Sequence, residues 1–98
     1  MSERVRNVSL SVGTSSVVVS PSLEEGQRRV LVLTNTSTAG QIISVSWGQE
    51  ASAGIGVVLT PYGSWSESVE GTFVPHNAQI YAVSSGASGT LSIHERIR

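Results

Sequence analysis

The sequence predicts an all-β fold, an antiparallel β-sandwich of two sheets and about eight strands, of jelly-roll or immunoglobulin-like type. The composition favours strands, with 14 Val, 6 Ile and 7 Thr among 98 residues, because β-branched residues fit a pleated sheet. Short apolar or alternating segments also recur at intervals of about 8–12 residues, separated by turn formers. A chain of this length forms one core, so residues 1–98 are expected to be a single domain.

The run Arg28–Asn35 is predicted to be the central strand. Side chains alternate along a strand, so Val30 and Val32 face one side while Leu31 and Leu33 face the other. Because both faces are apolar, we expect a central strand that is covered on both sides, or one that crosses from one environment to another, rather than a half-exposed edge strand. A buried helix is the competing interpretation, but the apolar run is short, half of it is β-branched, and turn formers follow it.

Two strands precede this run and five follow it. The segment Val5–Val12 alternates and predicts a half-buried strand, and Val17–Ser20 is a second strand that Pro21 ends. A hairpin is expected to join the two. The later strands are predicted over Gln41–Trp47, Ile55–Thr60, Ser64–Glu70, Gln79–Ser84 and Thr90–Ile97.

Charge and cysteine content exclude several classes of function. The net charge is −1 and 13% of residues are charged, so a nucleic-acid surface, which needs clustered cations, is not expected. There is no Cys, which excludes disulfides. No apolar run approaches the length of about 18 residues that spans a membrane, and no signal core precedes the first strand. We therefore expect a protein made in a cytoplasm that contacts neither nucleic acid nor membrane.

All six cations are Arg. Solvated strand ends are the plain interpretation. The alternative is a contact between subunits, because the guanidinium group suits ion pairs across an interface. Arg4, Arg6, Arg96 and Arg98 lie at the two termini, and with the N-terminal strand within residues 1–12 they are the predicted interface residues.

Catalytic, metal and cofactor sites are not expected. His76 and His94 are 18 positions apart and the chain has neither Asp nor Cys, so no metal-ligand spacing occurs. No serine lies in a Gly-x-Ser-x-Gly elbow. Glu67 and Glu70 resemble a carboxylate pair, but a small sandwich lacks the cleft that such a pair needs. We predict no catalytic residue, no metal ligand and no cofactor.

The aromatic residues allow two interpretations. Trp47 and Trp65 are expected to be core anchors whose indole N–H groups bind backbone carbonyls. Alternatively, rings near loop ends stack on a sugar. Tyr62, in the turn that Pro61 and Gly63 form, is expected to be the most exposed ring. Gly63 is expected to supply the positive φ of that turn.

Four segments in a fixed order resemble a recurrent type of small bacteriophage virion protein. They are Arg28–Ser37 (Arg-Arg-Val-Leu-Val-Leu-Thr-Asn-Thr-Ser), Ile43–Gly48 (Ile-Ser-Val-Ser-Trp-Gly), Gly54–Trp65 and Val74–Ile93. The order is an Arg-led apolar strand, an aromatic-Gly pair, a Pro-x-Gly turn, and Tyr-Ala-x-Ser-Ser-Gly near the end. The first 27 residues have no counterpart in this resemblance.

The resemblance implies a non-enzymatic structural protein of a virion. It implies a decoration or cement protein that binds and stabilises the capsid, with the major capsid protein or another virion protein as its partner. Such proteins commonly form homotrimers, and the protein would be made in the cytoplasm of a bacterial host. The alternative is a carbohydrate-binding or host-recognition module of a phage tail or fibre. The resemblance assigns no catalytic residue.

Overall fold

The computed structural model describes residues 3–98, and this part of the chain forms eight strands and no helix. Met1 and Ser2, the first residues of the predicted domain, lie outside the described residues. The strands are β1 (Arg4–Val12), β2 (Val17–Ser20), β3 (Arg28–Asn35), β4 (Ile43–Trp47), β5 (Val57–Leu59), β6 (Ser64–Ser68), β7 (Ile80–Ser84) and β8 (Gly89–Ile97).

The strands form two four-stranded antiparallel sheets. Sheet A has the order β1-β8-β3-β6 and sheet B the order β2-β7-β4-β5. The predicted β-sandwich is confirmed. The pairs β1–β8, β2–β7, β3–β6 and β4–β5 are nested, which is the pairing of a jelly roll, whereas an immunoglobulin-like sandwich pairs its first two strands. The predicted hairpin between the first two strands is wrong, since β1 and β2 belong to different sheets.

The core lies between the two sheets and consists of aliphatic side chains at alternate strand positions. Burial of each Val, Leu or Ile side chain among them contributes about 1.5–3 kcal/mol. The buried members are Val12, Val19, Leu31, Leu33, Ile43, Val45, Leu59, Ile80, Ala82, Leu91 and Ile93.

Strand β3 is central in sheet A but is covered on one face only. It pairs with β8 on one side and β6 on the other. Leu31 and Leu33 are fully buried in the core, whereas Val30 and Val32 are half-exposed on the opposite face. The prediction of a strand covered on both sides is therefore wrong for β3, because no element of residues 3–98 packs on that face of sheet A.

Strand β4, unlike β3, is buried on both faces. Its side away from the core is covered by the loop of residues 48–56. In this loop the Gly54 amide donates to Ser44 Oγ at 2.9 Å. The Ala51 amide reaches farther and donates to Ser16 Oγ, also at 2.9 Å. The loop thus covers the middle of sheet B, while the corresponding face of sheet A stays bare.

Candidate functional site

The histidines and acidic residues do not assemble into a reactive centre. Within residues 3–98 they nowhere form a group of three that could hold a metal ion. His94 lies on the face of sheet A that points away from the core, with Nδ1 2.7 Å from Asn7 Oδ1. Its neighbour Glu95 points into the core and is fully buried. His76 is exposed in the segment between β6 and β7.

A buried ionic centre, formed by Arg6, Ser20, Arg28 and Glu95, lies at one end of the sandwich. Glu95 takes an inward position in β8, between Ile93 and Ile97 in the alternation of that strand. A charged carboxylate in such a position needs charged or hydrogen-bonding partners, because burying an unpaired charge is costly.

The carboxylate of Glu95 is fully bonded. Its Oε1 accepts from Arg6 Nη1 at 2.6 Å, and its Oε2 accepts from Ser20 Oγ at 2.8 Å and from Arg28 Nε at 3.0 Å. The two arginines differ in exposure, since the side chain of Arg28 is fully buried and that of Arg6 is 30% exposed. One carboxylate therefore pairs with two cations, one buried and one partly exposed.

The guanidinium group of Arg28 uses all of its donors. Nη2 donates to Ser20 Oγ at 2.9 Å and to Pro21 O at 3.1 Å. Nη1 donates to Ala78 O at 3.0 Å and to His76 O. With Nε on Glu95, the five N–H groups of the side chain are satisfied. The ionic centre joins strands of both sheets to the β6–β7 segment, and its saturated bonding indicates a structural rather than a catalytic role.

At the other end of the sandwich, Asn35 is a second buried polar hub. Its side-chain amide donates to Gln41 O and Leu59 O, each at 2.8 Å, and its Oδ1 accepts from the Ser37 amide at 3.0 Å. Its backbone N donates to Gly63 O at 3.0 Å, and its backbone O accepts from the Tyr62 amide at 2.6 Å. The β5–β6 turn is thereby fixed on both sides.

That turn presents Tyr62 in an unusual conformation. The Gly63 amide donates to Thr60 O at 2.7 Å, which closes the turn. Tyr62 has φ +63° and is 71% exposed. The expectation that Gly63 supplies the positive φ is wrong. Gly63 is required for a different reason, because a Cβ there would lie 2.9 Å from Thr60 O.

The two tryptophans occupy different environments. Trp47 is half-buried and packs against the core, but its Nε1 is buried and has no hydrogen-bond partner in the described chain. Trp65 is 39% exposed on β6. The expectation of two core anchors bonded to carbonyls is thus wrong in part. Trp65 is exposed because β6 is an edge strand, so the indole ring lies at the open side of the sandwich.

The four predicted interface arginines are spread over one end of the molecule. Arg6 belongs to the ionic centre, and Arg96 Nη1 lies 3.8 Å from Glu3 Oε1 in an exposed pair. Arg4 and Arg98 are exposed. Their part in a contact between subunits stays a prediction.

Sequence reasoning missed the ionic centre, although the alternation of apolar residues contained a signal. In β8, the side chains of residues 91, 93, 95 and 97 point to the same side of the strand, and three of them are aliphatic. The fourth, Glu95, therefore had to be buried. Arg6 points to the same side of β1 as Val8 and Leu10, which identifies it as a candidate partner of Glu95.

A broad surface that no other strand of residues 3–98 covers is the face of sheet A that points away from the core, which we call the outer face of sheet A. It comprises Val5, Asn7, Ser9 and Ser11 of β1, Thr90, Ser92, His94 and Arg96 of β8, Val30, Val32 and Thr34 of β3, and Ser64, Ser66 and Ser68 of β6. Within this set only Arg96 has a formal charge, and eight members carry a hydroxyl group. The strands β1 and β6 form the two free edges of the sheet.

Comparison with known protein families finds no match, and no curated protein matches the chain. Among solved structures, the chain is similar in fold to a protein of Bacillus endospore appendages, described as a novel family of disulfide-linked pili. The TM-score is 0.59 and the identity 10%, over 98% of this chain and 86% of that one. Within residues 3–98 no helix could cross a membrane.

Proposed function

We propose that the protein is a non-enzymatic structural subunit of a bacteriophage virion that decorates the capsid, binding the major capsid protein or a neighbouring virion protein through the outer face of sheet A. The observation that carries the proposal is this bare face, four strands wide, on a molecule whose buried polar groups are otherwise almost fully bonded inside. The similarity in fold to an appendage protein supports a structural role. The virion as location, and a homotrimer as assembly, follow from the sequence resemblance.

The chemistry of the outer face suits a surface that another protein covers. Its rows across the sheet are built from small side chains, as in Ser9, Ser92, Thr34 and Ser64. Hydroxyl groups keep hydrogen-bonding capacity, and covering them costs far less than covering charges. Two half-exposed valines of β3 add apolar area in the middle of the face. A partner that covers the face therefore has one formal charge to accommodate, that of Arg96.

Attachment is tested with Ser92→Glu, which puts a carboxylate in the middle of the face. Ser22→Glu, in the exposed segment before β3, is the matched control. Each variant is incubated with undecorated capsids, and co-sedimentation is measured next to the melting temperature. We expect Ser92→Glu to lose capsid binding and Ser22→Glu to retain it, with both still folded. Equal binding by the two variants contradicts attachment through this face.

The assembly state is tested by light scattering coupled to size exclusion over a dilution series. The proposed trimer has three times the 10.3 kDa mass of the chain. A mass equal to one chain at every concentration contradicts the trimer, but it leaves capsid attachment to be decided by co-sedimentation.

A second candidate is a carbohydrate-binding or host-recognition module of a tail or fibre. It is favoured by two exposed rings three positions apart, Tyr62 at 71% exposure in the β5–β6 turn and Trp65 at 39% exposure in β6. Titrating a glycan panel while following tryptophan fluorescence tests it, because stacking of a sugar on Trp65 changes the emission. A change that Trp65→Phe abolishes favours this function, and no change across the panel favours the structural one.

A further inference from the structure

We propose that copies of this chain associate head to tail through the two edges of sheet A, with β6 of one copy pairing antiparallel with β1 of the next. This inference rests on the proposed structural function and names a contact by which the subunits assemble. Its partner is a second copy of the chain.

The edges of sheet A are the ones long and open enough to add a strand. β1 has nine residues and β6 five, whereas the sheet B edges β2 and β5 have four and three. Very short edge strands are a common protection against pairing. β2 is also ended by Pro21, which has no N–H to donate. By contrast, four of the five residues of β6 are exposed.

Strand direction decides how two copies meet. Every neighbouring pair in sheet A is antiparallel, so β1 and β6 run in opposite directions at its two edges. An antiparallel β6–β1 contact therefore keeps both copies in the same orientation and extends one continuous sheet. After one contact each copy still has one free edge, β1 in one copy and β6 in the other, so the contact is heterologous and builds a ring or an open chain.

Charge favours this pairing over a contact between two like edges. β6 contains one charged residue, Glu67, whose Oε1 is buried and has no partner in the described chain. β1 contains two, Arg4 and Arg6. A pair of β1 strands provides no carboxylate within the strands, and a pair of β6 strands provides no cation. The β6–β1 contact brings the two signs together.

The alternation of side chains limits the register. Glu67 lies opposite Leu31 in its own sheet, so its side chain points toward the core side of the sheet. Arg6 lies opposite Glu95 and points to the same side. A one-residue slip would reverse inward and outward positions. Registers that keep the faces aligned and pair the charges place Glu67 opposite Arg4 or Arg6 of the next copy. On the outer face, Ser66 then lies opposite Val5 or Asn7.

Disulfide trapping tests the contact directly, because the chain has no Cys of its own. The variants are Val5→Cys with Ser66→Cys, Asn7→Cys with Ser66→Cys, and the corresponding single variants. In one chain these positions are three strand spacings apart, about 14 Å, which is beyond the reach of about 7 Å between the Cα atoms of a disulfide. Any disulfide between β1 and β6 therefore joins two copies. The matched control is Val18→Cys with Ser66→Cys, where Val18 lies exposed on the edge strand β2.

We expect one of the two β1–β6 double variants to form a ladder of oligomers beyond the dimer on mild oxidation, which reducing agent reverses. Single variants should stop at dimers, and the Val18 control should not form the ladder. A wild-type mass above one chain without a specific ladder overturns the edge contact and leaves the structural function standing. Efficient dimers from Val5→Cys or Asn7→Cys alone, without a ladder from either double variant, show pairing of like edges and also overturn it.

Discussion

Replacing Glu95 by Gln should be among the most destabilising single changes in this protein. The substitution keeps the shape of the side chain and removes its charge. The fully buried Arg28 then lacks its counter-charge, and the only charged group among the five that accept hydrogen bonds from its guanidinium group becomes neutral. Arg6 loses its carboxylate partner as well.

The size of the effect follows from burial. Removing one partner of a buried ion pair costs about 3–5 kcal/mol, because the other charge stays desolvated. A domain of this size has a free energy of unfolding of about 5–15 kcal/mol. The loss is therefore a large part of the total, and we expect Glu95→Gln to melt well below the wild type.

The chain offers a matched control in its exposed Arg–Glu pair. Arg96 and Glu3 have side chains 51% and 45% exposed, and their charged atoms are 3.8 Å apart. Exposed pairs of this kind contribute less than about 1 kcal/mol. Glu3→Gln makes the same chemical change as Glu95→Gln, so the difference between the two variants isolates burial.

The measurement is urea unfolding followed by tryptophan fluorescence and circular dichroism, with the slope m compared among variants. Arg28→Met and the double variant complete a cycle, in which the double should cost about 1–3 kcal/mol less than the sum of the singles. If Glu95→Gln does not fold, Ser20→Ala tests the same centre at a cost of about 1–3 kcal/mol. A loss for Glu95→Gln no larger than that for Glu3→Gln would show that the buried charge pair does not stabilise the fold in this way.

Three further predictions concern backbone and hydrogen bonding, and urea unfolding measures each. Tyr62→Gly should raise the free energy of unfolding by up to about 1 kcal/mol, because φ is positive there and the ring is exposed; a loss would show that the ring stabilises the fold. Gly56→Ala should cost about 1–3 kcal/mol more than Gly54→Ala, since both have positive φ but only at Gly56 would a Cβ clash with a backbone carbonyl, that of Val45. Equal losses contradict this. Asn35→Ala should cost about 1–3 kcal/mol for each of two carbonyls left without a donor, and a loss below that range would indicate that other groups replace the amide.

The strands were predictable from sequence because alternation is a local property. The bounds of β2 and β3 agree with the prediction, and the other strands differ by one or two residues at one end or, for β5, at both ends. Pairing was not predictable. In a jelly roll β1 lies beside β8, at the far end of the chain, and periodicity has no information about such distant partners.

The local sequence also does not show which faces of a strand are covered by other parts of the chain. The apolar faces of β3 suggested cover on both sides, yet its outer valines are half-exposed, while the serines of β4 are buried. Whether a loop folds over a sheet depends on hydrogen bonds such as Gly54 to Ser44, which no hydropathy pattern contains. The exposure of Trp65 was unpredictable for a similar reason, because the position of a strand at the edge of a sheet depends on the topology.

The distribution of satisfied polar groups limits where this protein can act. The ionic centre closes one end of the sandwich and Asn35 organises the other, and the loop over β4 covers the middle of sheet B. Changes at these places should act first on stability, because their groups are already bonded within the chain. The outer face and the edges of sheet A are different, since their hydroxyl, backbone and edge groups have capacity left for a partner. Variants there should alter association while leaving the melting temperature nearly unchanged, and this separation of the two effects is what distinguishes an assembly surface from the rest of the fold.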